Sequence, residues 1–132
     1  MGLRPTIWDE LGTGDMPHGW AAGQYVHLHR NCLVCEDGKK LELCWGVQPD
    51  WLRDGATLSV KRAPTRFGKI QFELRRSGLN LTVDYSLTPA PGQTTAEEVH
   101  LRIPPLTEKI TSVRVNGTVR SLSPSEFVIT LT

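Results

Sequence analysis

His18 and Trp20 are the residues whose types and spacing best suit chemistry. They flank Gly19 inside Gly14-Asp15-Met16-Pro17-His18-Gly19-Trp20-Ala21-Ala22-Gly23, which reads as the opening of an apolar helix. A helix N-terminus presents N–H groups without intrahelical partners and a partial positive charge. An aromatic ring beside an imidazole donor suits a sugar, which offers an apolar C–H face fringed by hydroxyls. Against this stands a packing role, in which His18 caps the loop and Trp20 anchors a core. Packing is the commoner use of a large aromatic, and it outweighs the sugar reading.

Other residue types invite chemistry less. His27, His29, Cys32, Cys35 and Cys44 are favoured zinc-ligand types. Yet His27 and His29 fall on opposite sides of a helix, and no second C-x-x-C follows, so small buried cysteines are the better account and no metal is expected. Glycoside hydrolysis needs two carboxylates at a defined separation. Glu73 and Asp84 lie on the polar phase of their strands, and Glu97-Glu98 follows a Pro/Gly/Thr loop. No G-x-S-x-G, H-E-x-x-H or phosphate-cradling glycine loop is present. The chain is therefore expected to carry no catalytic residue of its own and no cofactor.

These residues need elements to hold them, and composition bounds what is possible. The chain has 132 residues, 39% of them hydrophobic, and a formal net charge of +1. That length and apolar share suffice for one domain with a core. The charge balance argues against nucleic-acid and membrane-surface partners, which call for concentrated positive charge. No apolar run is long enough to span a bilayer. The first residues lack the apolar centre of a signal peptide, although in a C-terminal piece of a longer protein that says nothing about compartment. Three cysteines make no disulfide framework and fit a reducing compartment, which tilts the localisation towards the cytoplasm.

Residues 1–18 read as an irregular lead-in, and Trp20 to Val34 as a helix. Ala21, Tyr25, Leu28 and Cys32 form one stripe at helical spacing, and Ala22, Val26 and Leu33 a neighbouring one. So wide an apolar arc exceeds what one small sandwich can cover, and it implies more than one packing partner. Glu36-Asp37-Gly38-Lys39-Lys40 reads as the helix stop. Everything after it alternates as strands do: Leu41 to Trp45, Thr57 to Ala63, Ile70 to Arg75, Leu79 to Thr88, Val99 to Ile103, Ile110 to Val115, Val119, and Phe127 to Leu131. Ser77-Gly78 and Asn116-Gly117 are hairpin turns. Eight short strands at roughly ten-residue spacing predict an antiparallel sandwich.

Three segments resemble the C-terminal end of bacterial six-hairpin (α/α)6 glycoside hydrolase-like proteins, the α-L-rhamnosidase-like group in the broad sense. Gly14 to Ala21 resembles the segment that opens the last barrel helix. Leu41-Glu42-Leu43-Cys44-Trp45-Gly46-Val47-Gln48-Pro49-Asp50-Trp51-Leu52 resembles the bridge "L-x-L-x-x-G-I-P-x-x-W-L" into the sandwich. Ala63-Pro64-Thr65-Arg66-Phe67-Gly68-Lys69-Ile70 resembles the link "A-P-T-x-F-G-x-V", and Ile110 to Gly117 a common closing strand. Gln24 stands where an acidic residue is usual, and Cys32, Cys35 and Cys44 where apolar ones are. The resemblance implies that the catalytic carboxylates lie upstream in the barrel, and that His18 and Trp20 face its cleft.

The expectation is thus a mostly β fold, an antiparallel sandwich of about eight short strands preceded by one N-terminal α-helix. Residues 1–38 would be a lead-in and helix left from a helical barrel, and 39–132 the sandwich, packed beside the helix through Trp45, Trp51 and Leu52. Its role would be that of an accessory, structural piece of a glycoside hydrolase-like protein. The alternative is an independent carbohydrate-binding or protein-interaction module. The expected partners are an upstream barrel or a second copy bound through the helix, with carbohydrate as the candidate ligand at His18 and Trp20.

Overall fold

The computed structural model describes residues 19–122 and 128–131, so the lead-in expected over residues 1–18 lies outside the described residues. Helix α1 spans Gly19–Leu33. Ala21, Ala22 and Leu28 favour helix, and Arg30 sits in the last turn, where a cation suits the negative end of the dipole.

The helix ends one residue before its expected limit because Val34 is taken by a strand. Strands β1 (Val34–Asp37) and β2 (Lys40–Leu43) form a hairpin with Val34 opposite Leu43. The segment expected as a helix stop is therefore a hairpin turn, with Gly38 at φ 54°. Burial of Val34 and Leu43 in the core outweighs the local helical pattern. This hairpin straddles the boundary expected at residues 38 and 39, so the sandwich begins at Val34.

One turn of 3-10 helix, Pro49–Leu52, follows. Then come β3 (Thr57–Thr65), β4 (Gly68–Ser77), β5 (Asn80–Thr88), β6 (Glu98–Arg102), β7 (Ser112–Val115), β8 (Thr118–Ser121) and β9 (Val128–Thr130). The four-stranded sheet has the order β1-β2-β6-β9 and the five-stranded sheet β3-β4-β5-β7-β8. All eight expected strands are present and β1 is a ninth among the described residues.

Both sheets are mixed rather than antiparallel, because β2–β6 and β5–β7 pair in parallel. Of the five antiparallel pairs among the described residues, β1–β2, β3–β4, β4–β5 and β7–β8 are joined by tight turns, and β6–β9 by a long connection. In the β7–β8 turn, Asn116 and Gly117 both take positive φ, 45° and 85°, as a two-residue hairpin needs. β6 and β7 reach their partners by long connections, which free a strand to lie either way.

The core lies between the sheets. Leu41, Leu43, Val99, Leu101 and Ile129 meet Ile70, Phe72, Leu74, Leu81, Val83 and Val113 in one cluster. At an edge of the five-stranded sheet, β3 carries a bulge between Val60 and Ala63, with Lys61, Arg62 and Pro64 nearby. Bulge, cations and proline discourage a further strand from pairing there.

The helix joins the sandwich by its last turn, not by lying against Trp45, Trp51 and Leu52 as expected. Cys44 N–H donates to Leu33 O (2.9 Å) and Gly46 N–H to Cys32 O (3.0 Å). Gly46 runs so close to the helix that a Cβ there would sit 2.6 Å from Cys32 Sγ. Leu52 is instead in the sandwich core, and Trp45 and Trp51 stay partly exposed. The physical reason is that the chain turns directly from helix into β1, so the helix leaves the sheet end-on.

A second clamp holds the same joint. Both Arg30 terminal nitrogens donate to the Glu36 carboxylate (3.1 Å each), and Nη2 also to Pro64 O (2.9 Å). The Arg66 backbone N–H donates to Glu36 Oε1 (3.0 Å). The Arg30 hydrogen bond holds the Glu36 carboxyl below its ordinary value of 4.5, with partial burial opposing and the Arg66 N–H reinforcing. A depressed folded-state pKa stabilises above the unfolded value, and that stability is lost as pH falls through the folded one. Acidification below 4.5 is therefore expected to lower the unfolding midpoint more steeply in the native chain than in Glu36→Gln. Melts followed by circular dichroism across that range check this, and parallel curves would contradict it.

Candidate functional site

None of the fifteen residues of α1 is buried. Trp20 is 75% exposed, Val26 67%, Tyr25 64% and Leu28 61%. At about 100° per residue the apolar positions, from Trp20 through Leu28, Cys32, Tyr25 and Leu33 to Val26, sweep an arc of roughly 240°. An ordinary surface helix carries a stripe less than half as wide, and that stripe faces a core. Here only the turn from Arg30 to Leu33 is partly covered. Tyr25 and His29, one turn apart, bring their rings to 4.1 Å between centroids, and His29 Nδ1 lies 2.8 Å from Tyr25 O. Asn31 and Gln24, between Trp20 and Leu28, and His29, between Tyr25 and Leu33, interrupt the arc, yet exposed apolar surface of this extent marks an interaction site.

Of the expected pair, Trp20 lies on this surface in the first turn of the helix, and His18 lies outside the described residues. At 75% exposure Trp20 is not part of the sandwich core.

The other candidates do not gather into one site. Glu73 and Asp84 stand directly opposite each other on β4 and β5, both tied to Arg75 at 3.3 and 2.5 Å. Glu97 pairs with Lys39 (2.6 Å) and Glu98 with Lys40 (3.1 Å). The Lys40 hydrogen bond, followed by that of His100, holds the Glu98 carboxyl below its ordinary value. Burial pushes the Cys44 thiol up to about 12, which makes it a poor thiolate ligand or nucleophile. His27 and His29 are exposed on the helix. Among the described residues no three His, Cys, Asp or Glu side chains converge as a metal ion requires.

A polar cluster that sequence reasoning missed lies on the outer face of the four-stranded sheet. Glu42 of β2 stands opposite His100 of β6 in the parallel register. His100 Nδ1 is 3.1 Å from Glu42 Oε1, and His100 Nε2 is 2.7 Å from Glu98 Oε2. Arg102 Nε donates to Glu42 Oε2 (3.1 Å), and its guanidinium lies 3.7 Å from the centre of the Trp45 ring. Period-two alternation places Glu42, His100 and Arg102 on the polar phase of their strands. Only the pairing of two strands more than fifty residues apart makes them neighbours.

No protein-family model, no curated protein and no solved structure matches this chain.

Proposed function

We propose that this chain is an accessory β-sandwich module that works by docking its helix into a helical neighbour. One observation carries this: a fifteen-residue helix with no buried residue, bearing Trp20, Tyr25, Val26 and Leu28 on its surface. An isolated helix of this length is marginal in water, because its stability normally comes from packing an apolar face. The resemblance to the C-terminal end of six-hairpin glycosidase-like proteins supplies a neighbour of the right kind, a helical barrel whose last helix this would be. The sandwich then braces that barrel, and the chemistry belongs to the barrel.

In the isolated chain the same surface is expected to drive self-association. Light scattering should show a mass that rises with concentration, and a double variant Val26→Gln, Leu28→Gln should stay monomeric with the same unfolding midpoint. Glutamine keeps helix propensity while removing apolar area. A native chain that stays monomeric and binds no hydrophobic dye would overturn the docking reading.

The exposure of Trp20 also favours a second reading, an independent carbohydrate-binding module. Saturable quenching of tryptophan fluorescence by oligosaccharides, lost in Trp20→Ala, would select it.

A further inference from the structure

The outer face of the four-stranded sheet holds a site of a different kind, and we propose that Arg102 and Trp45 there bind a small ring-bearing carboxylate. The inference is independent of the helix. It starts from Glu42, whose side chain is only 3% exposed although it lies on the face turned away from the core. Both its oxygens are taken, one by His100 and the other by Arg102 Nε.

Arg102 is therefore fixed twice, along its Nε edge by Glu42 and across its face by the Trp45 ring. Its terminal Nη groups stack on that ring but donate no hydrogen bond to a described residue, and the side chain keeps 36% of its surface open. A guanidinium whose Nε is already bonded still presents two end-on N–H groups at the spacing of a carboxylate's oxygens. Because its rotamer is held before any ligand arrives, little entropy remains to be lost on binding.

Trp45 completes the site. The residue is 52% exposed, and the guanidinium stacks over its flat apolar ring. A ligand with a carboxylate on a ring can place the acid on Arg102 and the ring along the indole. A hexuronate and an aromatic acid share this chemistry. Of the nearby carboxylates, Glu98 is paired with Lys40, and Glu42 is buried on the Nε side of Arg102, away from the open Nη end.

Strand pairing alone does not account for this arrangement. Lys40 opposite Glu98 and Glu42 opposite His100 already give direct cross-strand pairs between β2 and β6. Arg102 stands two residues beyond His100, reaches back to Glu42, and adds a stacked, open-ended cation.

The test is calorimetry and the Trp45 indole N–H resonance, with galacturonate, benzoate and the neutral counterparts galactose and benzamide. The monomeric Val26→Gln, Leu28→Gln background keeps helix association out of the signal, so failure here leaves the docking proposal standing. Saturable binding of either acid at millimolar or tighter affinity is expected, with the neutral partner weaker by about tenfold or more. Which acid binds identifies the source of the carboxylate. Arg102→Lys keeps the charge and loses the fork, and should weaken binding by a similar factor. Trp45→Ala should do so too while the unfolding midpoint holds. Absence of saturation by both acids, equal binding of the neutral compounds, or full binding by Arg102→Lys would overturn the proposal.

Discussion

Gly68→Ala is expected to destabilise the sandwich by about 3–5 kcal/mol, combining backbone strain with overpacking. Gly68 takes φ 125°, a conformation side chains rarely adopt, where the chain turns from β3 into β4. A Cβ there would lie 2.2 Å from Thr88 O and 2.8 Å from Pro89 Cα. Both are backbone atoms and cannot swing aside. The turn is fixed further by Thr65, whose hydroxyl donates to Gly68 O (2.7 Å) and accepts from the Phe67 N–H (3.1 Å). Set against a total stability of about 5–15 kcal/mol, the loss is large, and the unfolding midpoint should fall by about 11–18 °C. Gly38→Ala is the control. Its Cβ meets nothing within 4 Å, so only the left-handed backbone at φ 54° counts, at about 1–2 kcal/mol. Denaturant titration of both variants checks the contrast, and equal losses would contradict it.

Arg76→Met should cost about 3 kcal/mol, the scale for removing one partner from a buried charged network. Arg76 lies on β4 in phase with Ile70, Phe72 and Leu74, and its side chain is 6% exposed. Its Nη1 donates to Leu52 O (2.7 Å), Nε to Gly78 O (3.0 Å) and Nη2 to Glu108 Oε2 (3.2 Å). One guanidinium thus fastens the 3-10 turn, the β4–β5 turn and the connection before β7. Methionine fills much of the same volume but leaves the carbonyl of Leu52 without a donor, and a buried unsatisfied acceptor is costly. Glu108 is mostly exposed, so Glu108→Gln should change stability by no more than about 0.5 kcal/mol. Comparable losses in the two variants would show that the ion pair, not the backbone anchoring, is what matters.

Arg76 also shows where the sequence stops being readable. Beside Arg75 it looks like half of a solvated pair, and nothing local says that it points inward to meet Leu52. By contrast Leu81 and Val83, alternating with Thr82 and Asp84, announce a strand and its inner face, and Asn116-Gly117 announces its turn. Local periodicity and turn chemistry act over a few residues, so they survive in the sequence. Val34 shows the converse, since it continues a helical pattern and becomes a strand only because Leu43 waits opposite it. The parallel pairing of β2 with β6 is non-local in the same way, and it alone assembles Glu42, His100 and Arg102. The surface of α1 was legible because an apolar arc of that width is written in consecutive residues. The helix joint was not, because the hydrogen bonds to Leu33 O and Cys32 O come from backbone, which carries no sequence signature.

Amide hydrogen exchange on the dilute, monomeric chain tests the central claim most directly, namely that the described residues give the middle of α1 no neighbour that would stabilise it. Amides of residues 23–29 should exchange with almost no protection, while Phe72, Leu74, Leu81 and Val83 in β4 and β5 exchange only through global unfolding. Protection of the helix equal to that of β4 and β5 in a verified monomer would contradict the account, because the fold would then be stabilising that helix without a partner.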